Sequence, residues 1–305
     1  MPHLQRTSRL LIIFASLALC AAHEAFGQAG RHPRPADESS SILNVVATRA
    51  DNSSNSSEPL NIKQLSLYDG GIEQTIKSFT PDPSPARIVL LVDNSLTIRA
   101  DVEKLEAAAR EFAYEIYDGD KILIVGYDEQ PEIVADWTDD AKKIEASLRT
   151  FRKKGDPHLF DALGAVTDQA LVPFNNTGQK RVVVVISDGL DRGSKTSFAS
   201  ILAQLQKQNI TVYCMQATDR TGGALRRNQP KPTQTIAQLA EGTGGRVLPI
   251  TEPQEAAKSI CDELRKNRYL LAYTPSSIMY TDARRLLLLA DEGINIRTKT
   301  MEPAR

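Results

Sequence analysis

The sequence predicts an α/β fold: a mainly parallel sheet covered by helices on both faces. Three observations carry that expectation. IVLLVD (88–93) and RVVVVISDG (181–189) are continuous apolar runs, the mark of strands buried on both faces. From residue 87 onward, strand-like runs alternate with stretches whose apolar residues recur at helical spacing. Only Glu129-Gln130-Pro131 and Glu132 separate KILIVGYD (121–128) from IVADW (133–137). That link is too short for a parallel crossover and suits one antiparallel pair.

The elements follow in order. Val102, Leu105, Ala109, Phe112 and Ile116 place a helix after the first buried strand. Helical stretches at 139–150 and 159–171 precede the strand at 181–189. A helix at 196–207, a strand at 210–216, a helix at 233–241 and a strand at 246–250 complete an α/β domain over 86–250. Ahead of it, 42–49, 62–68 and 74–79 read as a small N-terminal β segment over 42–80. Its DNSSNSSEP loop spans 51–59, and Asp69-Gly70-Gly71 forms its tight turn. PDPSP (81–85) stiffens the boundary. Beyond it, an amphipathic helix at 253–266 and β-type runs at 268–273, 284–291 and 294–300 make up a C-terminal part over 251–305. The terminal segments are expected to form a small β-rich unit that folds as one body with the α/β domain.

The N-terminus points to export. Arg6 and Arg9 precede an apolar run over 10–22, too short to span a bilayer comfortably, with small residues beyond it. Residues 1–27 therefore read as a signal peptide cleaved after Ala22 or Gly27, and the polar stretch 28–41 as a linker. An uncleaved anchor and a lipoprotein signal ending at Cys20 are the alternatives. Secreted or periplasmic location is the expectation, with no stable membrane insertion after cleavage. Cys214 and Cys261 remain in the mature chain. They read either as a pair, in an oxidising compartment, or as two separate buried thiols, the reading the local patterns favour.

Composition excludes several functions. Lys and Arg number 37 against 38 Asp and Glu, so the basic excess of a nucleic-acid binder is missing. Only four His and three Cys are present, too few for a His/Cys zinc cage. After cleavage following Gly27 only His32 and His158 remain as bases for a nucleophile. There is no G-x-S-x-G elbow and no G-x-x-x-x-G-K loop. A paired-carboxylate hydrolase has carboxylates enough, but nothing places a pair.

Ligands of open α/β sheets bind outside the carboxyl ends of the strands. There the sequence puts Asp93-Asn94-Ser95-Leu96-Thr97 and Ser187-Asp188-Gly189-Leu190-Asp191. Hydroxyls two residues apart, beside carboxylates from two strands, suit a hard cation that wants oxygen ligands. The alternative is helix capping, since Asp, Ser and Thr are good N-cap residues.

These strings, with the closing LAEGTGGRVLPI (239–250), resemble a von Willebrand factor type A domain. LSLYDGGIEQTIKSF (65–79), FDAL (160–163) and LRKNRYLLAYTP (264–275) resemble the VWFA-related domain family abundant in acidobacteria, so the likeness runs over about 42–300. The resemblance implies a Rossmann-like sheet with one antiparallel edge strand. It also implies a metal-ion-dependent adhesion site holding a divalent cation (Mg²⁺, alternatively Mn²⁺ or Ca²⁺). Asp93, Ser95, Thr97 and Asp188 fall on its ligand positions. Its middle element, a loop with a Thr ligand, falls on Gly155-Asp156-Pro157-His158, where Pro157 has no side-chain oxygen. Asp156 is the better substitute ligand, because the imidazole of His158 suits transition metals and reads as an exposed loop residue. Asn94, Leu96, Pro157, His158 and Gly189 would border the bound ligand.

The function implied is that of a non-catalytic binding protein whose protein ligand offers an acidic side chain. A metal-independent scaffold subunit is the alternative, and an uncharacterised hydrolase is a third reading. N-terminal sequencing of the exported form is expected to begin between about His23 and Gly30. An intact Met1 in a membrane fraction would contradict cleavage.

Overall fold

In the computed structural model, residues 40–50, 60–98, 100, 102–218, 230–276 and 281–304 are described. The expected signal peptide over 1–27, most of the expected linker, the 51–59 loop and His32 lie outside them. The central sheet is built from β5 (Ala86–Asp93), β6 (Lys121–Tyr127), β7 (Pro131–Thr138), β8 (Lys180–Ser187), β9 (Thr211–Gln216) and β10 (Val247–Pro249). Its order is β10-β9-β8-β5-β6-β7, parallel throughout except for the antiparallel edge strand β7.

Alternate residues of the central strands feed two cores, as the period of two in a strand requires. Ile88, Leu90 and Val92 pack with Val182, Val184 and Ile186 under α1 (Val102–Glu115) and α6 (Pro253–Lys266). Val89, Leu91, Val183 and Val185 pack on the opposite face against α3 (Leu159–Ala165), α4 (Phe198–Lys207) and α5 (Pro232–Thr243). The short α2 (Ala141–Leu148) joins the first core through Ile144 and Leu148. The helical stretch expected over 159–171 is α-helical only to Ala165 and continues as a π-helix through Leu171. Both buried thiols are free. Cys261 sits in the first core and Cys214 in the second, on opposite faces of the sheet.

The remaining strands form two four-stranded sheets. β1 (Ser41–Arg49), β4 (Ile76–Pro81), β11 (Arg268–Tyr273) and β13 (Ile294–Arg297) make one, in the order β13-β1-β11-β4. β2 (Leu65–Asp69), β3 (Ile72–Gln74), β12 (Arg284–Ala290) and β14 (Met301–Glu302) make the other, in the order β14-β12-β2-β3. Leu43, Val45 and Ala47 of the first share a core with Leu65, Leu67, Leu286 and Leu288 of the second. The N-terminal strands are therefore not a self-contained trio. β1 and β4 both flank the C-terminal β11, while β2 pairs with β12. Residues 62–64, expected to be extended, form a 3-10 turn because Asn61 accepts the Lys63 N–H and Gln64 returns a bond to the Asn61 N–H.

Buried charge ties these parts together. Arg284 donates to both carboxylate oxygens of Asp69, at 2.7 and 3.0 Å, and the Tyr273 hydroxyl donates to the same carboxylate at 3.0 Å. Between sandwich and central sheet, Glu263 of α6 accepts from Tyr213 of β9 (2.6 Å) and pairs with Arg297 of β13 (2.6 Å) and with Arg246 (3.1 Å). Asp69→Ala would strand the Arg284 guanidinium in the sandwich without its carboxylate. Equilibrium denaturation is expected to show a loss of about 3–5 kcal/mol. A loss below about 1 kcal/mol would place that pair in the solvent-screened class.

Candidate functional site

Three neighbouring strands end together at the carboxyl edge of the central sheet. The register pairs Asp93 with Tyr127 on one side and Val92 with Ile186 on the other. Tyr127, Asp93 and Ser187 therefore stand in a row across β6, β5 and β8, all fully buried. Asp93 Oδ2 accepts from the Ser187 hydroxyl (2.9 Å) and from Tyr127 (3.1 Å), and the Tyr127 and Ser187 oxygens lie 2.9 Å apart. The Gly189 N–H donates to Ser187 Oγ at 2.9 Å, which leaves the serine proton for Asp93. Asp93 Oδ1 accepts the Ser95 N–H at 3.0 Å. Every donor to Asp93 is thus neutral. Burial pushes the carboxyl pKa up, against the lowering effect of the hydrogen bonds from Ser95, Ser187 and Tyr127. Burial, with Asp93 beside it, holds the Tyr127 phenol protonated.

Above this row the hydroxyls of Ser95 and Thr97 converge to 3.0 Å. Their loop is laced to the 152–155 segment. Leu96 N–H donates to the Gly155 carbonyl, Lys154 N–H to the Asn94 carbonyl, and the Asn94 amide to the Arg152 carbonyl. Leu96 projects between them into solvent, 68% exposed. Asp188 is buried and accepts the Leu190 N–H at 2.9 Å, and its charge reaches Tyr127. Gly189 has φ +84, and a Cβ there would stand 2.3 Å from the Pro232 carbonyl oxygen, so this loop presses directly on the start of α5.

The 155–158 segment lies alongside, through the Leu96–Gly155 bond and a His158 N–H bond to the Asp128 carbonyl. Pro157 is buried, and its carbonyl accepts the Arg192 N–H at 2.8 Å. Asp156 is exposed and faces Arg192 at 3.5 Å. His158 departs from the exposed loop position expected of it. It is half-buried at the start of α3, and its ring fills the space that a Cβ on Gly193 would need. Asp191 and Ser194 cap the same helix: Phe160 N–H reaches both, and Asp161 N–H reaches Ser194.

The sequence reading missed Tyr127 and Ser194, and placed Ser187 and Asp191 at the strand end without giving either a role. Tyr127 ends an apolar run and reads as a core aromatic, and only its register opposite Asp93 gives it a role. Among the described residues, no group of three or more His, Cys, Asp and Glu side chains could hold a metal ion. The donors gathered here are instead hydroxyls beside carboxylates.

Residues 88–190, which carry all of these loops through Leu190, match the von Willebrand factor type A domain family. The chain therefore contains a von Willebrand factor type A domain over these residues. Its domain is similar in structure to an aerotolerance-related membrane protein from Bacteroides fragilis. The TM-score is 0.46 at 17% identity, over 59% of this chain and 99% of that one. BatB from Bacteroides thetaiotaomicron gives 0.45 at 16%, over 59% and 98%. A von Willebrand factor type A protein from Catenulispora acidiphila gives 0.47 at 10%, over 87% and 72%. No curated protein matches the sequence. Among the described residues, no helix is long and apolar enough to cross a membrane.

The buried Asp93 gives this von Willebrand factor type A domain a testable pH response. Its folded-state pKa lies above the ordinary Asp value of about 3.9. The stability that this group contributes is therefore full below that value and lost as pH rises through the folded pKa. In cation-free buffer, Asp93→Asn is expected to raise the melting temperature at pH 7 and to remove that part of the pH dependence. A lower melting temperature would mean that the hydrogen bonds to the carboxylate outweigh its desolvation.

Proposed function

We infer that this protein is a non-catalytic binding protein that works outside the cytoplasm, secreted or periplasmic. It would capture a protein ligand on the carboxyl-edge face of its von Willebrand factor type A domain with the help of a divalent cation. The observation that carries this reading is the 3.0 Å separation of Ser95 Oγ and Thr97 Oγ1. The two hydroxyls share a hydrogen bond beside the buried Asp93, so two neutral oxygens stand together with a carboxylate, the donor set a hard cation wants. Ser95 and Thr97 would hold the ion, and Asp93 and Asp188 would supply the balancing charge. A bound cation supplies an open coordination position that accepts a carboxylate from the ligand, and Leu96 adds an apolar contact beside it.

The donor chemistry fits a hard cation in a second respect. Asp93 is buried among neutral donors, so a divalent charge would offset the cost of keeping it ionised. One observation favours the metal-independent scaffold reading. Pro157 brings no side-chain oxygen, and Asp156, the nearest substitute, is engaged with Arg192.

Thermal melting separates the two readings. Millimolar Mg²⁺ or Mn²⁺ is expected to raise the melting temperature, because an ion selective for the folded state must do so. Asp93→Ala is expected to abolish that gain while the fold persists. Pro157→Thr is expected to tighten cation binding by returning a hydroxyl. No shift with any divalent ion at millimolar levels would discard the cation-assisted mechanism in favour of the scaffold.

A further inference from the structure

The run RRLLLLA of β12 is apolar on both faces, and the fold covers only one. Leu286 and Leu288 are buried in the sandwich core, whereas Leu287 and Leu289 face outward, each 47% exposed. Four successive leucines are the pattern of a strand covered on both sides. A sheet wetted on one side normally alternates apolar and polar residues. The register widens the outward patch. Leu287 lies opposite the half-buried Tyr68 on β2, and Leu289 lies opposite Ser66.

Charges of opposite sign flank this patch. Arg285 is exposed on β12 two residues before Leu287, opposite Met301 on β14. Glu73 is exposed on the other side, opposite Tyr68 on β3. A partner carrying one sign of charge would meet one of them and be repelled by the other. A second copy of the same face carries both. When two such faces meet about a two-fold axis that lies in the interface and is inclined to the strands, Arg285 of each copy falls on Glu73 of the other.

We propose that the outward face of the β14-β12-β2-β3 sheet is a two-fold interface between two copies of this chain. Leu287, Leu289 and Tyr68 pack against their counterparts there, and Arg285 of each copy meets Glu73 of the other. Apolar side chains at the centre with an ion pair on each side match the usual anatomy of a protein interface.

Sedimentation velocity on the purified full chain across the micromolar range tests this. A dimer is expected. Leu287→Ser with Leu289→Ser is expected to raise its dissociation constant by at least about tenfold. All four altered side chains are exposed, so melting curves should confirm that the variants stay folded. Arg285→Glu alone and Glu73→Arg alone are each expected to weaken the dimer, and the two together to restore it, because only a self-paired interface exchanges those charges. A monomer at every concentration would overturn the proposal. So would a dimer indifferent to both leucine substitutions, or a charge-reversed double variant no tighter than the single ones. Binding of some other protein to this face by a monomeric chain would equally overturn it.

Discussion

Everything at the carboxyl edge depends on the register of β5 between β6 and β8. The pairing is set by packing, since Ile88, Leu90 and Val92 serve one core while Val89 and Leu91 serve the other. A slip of one residue would send each set to the wrong face and unpack both cores at once. That same register puts Asp93 opposite Tyr127 and beside Ser187. The most apolar part of the chain thus fixes its most polar cluster, and no residue of the site needs to contribute to stability for the geometry to hold.

The cluster is satisfied yet not electrically neutral. Ser187, Tyr127 and the Ser95 N–H supply Asp93 with hydrogen bonds but with no positive charge. Hydrogen bonds offset part of the desolvation of a carboxylate and leave the remainder as a raised pKa. The surrounding loops cannot relax to expose the group, because each is anchored elsewhere. The 94–97 loop is bonded to 152–155, and the loop after β8 is held by Gly189 against α5 and by Asp191 and Ser194 at the start of α3. Loops anchored in this way hold the Ser95 and Thr97 hydroxyls together beside Asp93.

What the sequence made legible follows the range of the interactions involved. The central strands, their alternation with helices and the antiparallel β7 were readable because each is signalled by residues close together in the chain. So were Asp93, Ser95, Thr97 and Asp188 as strand-end residues. The sandwich pairing was not. Nothing local in 42–79 says that β1 will lie beside β11 while β2 lies beside β12, across more than 200 residues. The roles of Tyr127 and Ser187 were hidden for a different reason. A tyrosine closing an apolar strand and a serine at a strand end have ordinary packing and capping explanations, and only the cross-strand register sets them apart. His158 illustrates a third limit, since its burial against Gly193 depends on a contact 35 residues away.

The joint between the two bodies rests on a residue whose sequence setting suggests the opposite. Glu263 belongs to the amphipathic α6 and, surrounded by Asp262, Arg265 and Lys266, reads as one more charge on a wet face. It is nearly fully buried, because Tyr213 from β9 and Arg297 from β13 both reach it. The helix that covers one core of the central sheet thereby also holds the sandwich. Cys261 and Leu264 face the core on either side of Glu263, while Arg297 and Arg246 close over its carboxylate from outside. Lengthening α6 by a single residue would rotate Glu263 by about 100° and leave its two arginines without the carboxylate they share. The constraint on this helix is therefore one of phase as much as of composition. That explains why the terminal segments, distant in sequence, can be carried as one unit on the edge of a von Willebrand factor type A domain.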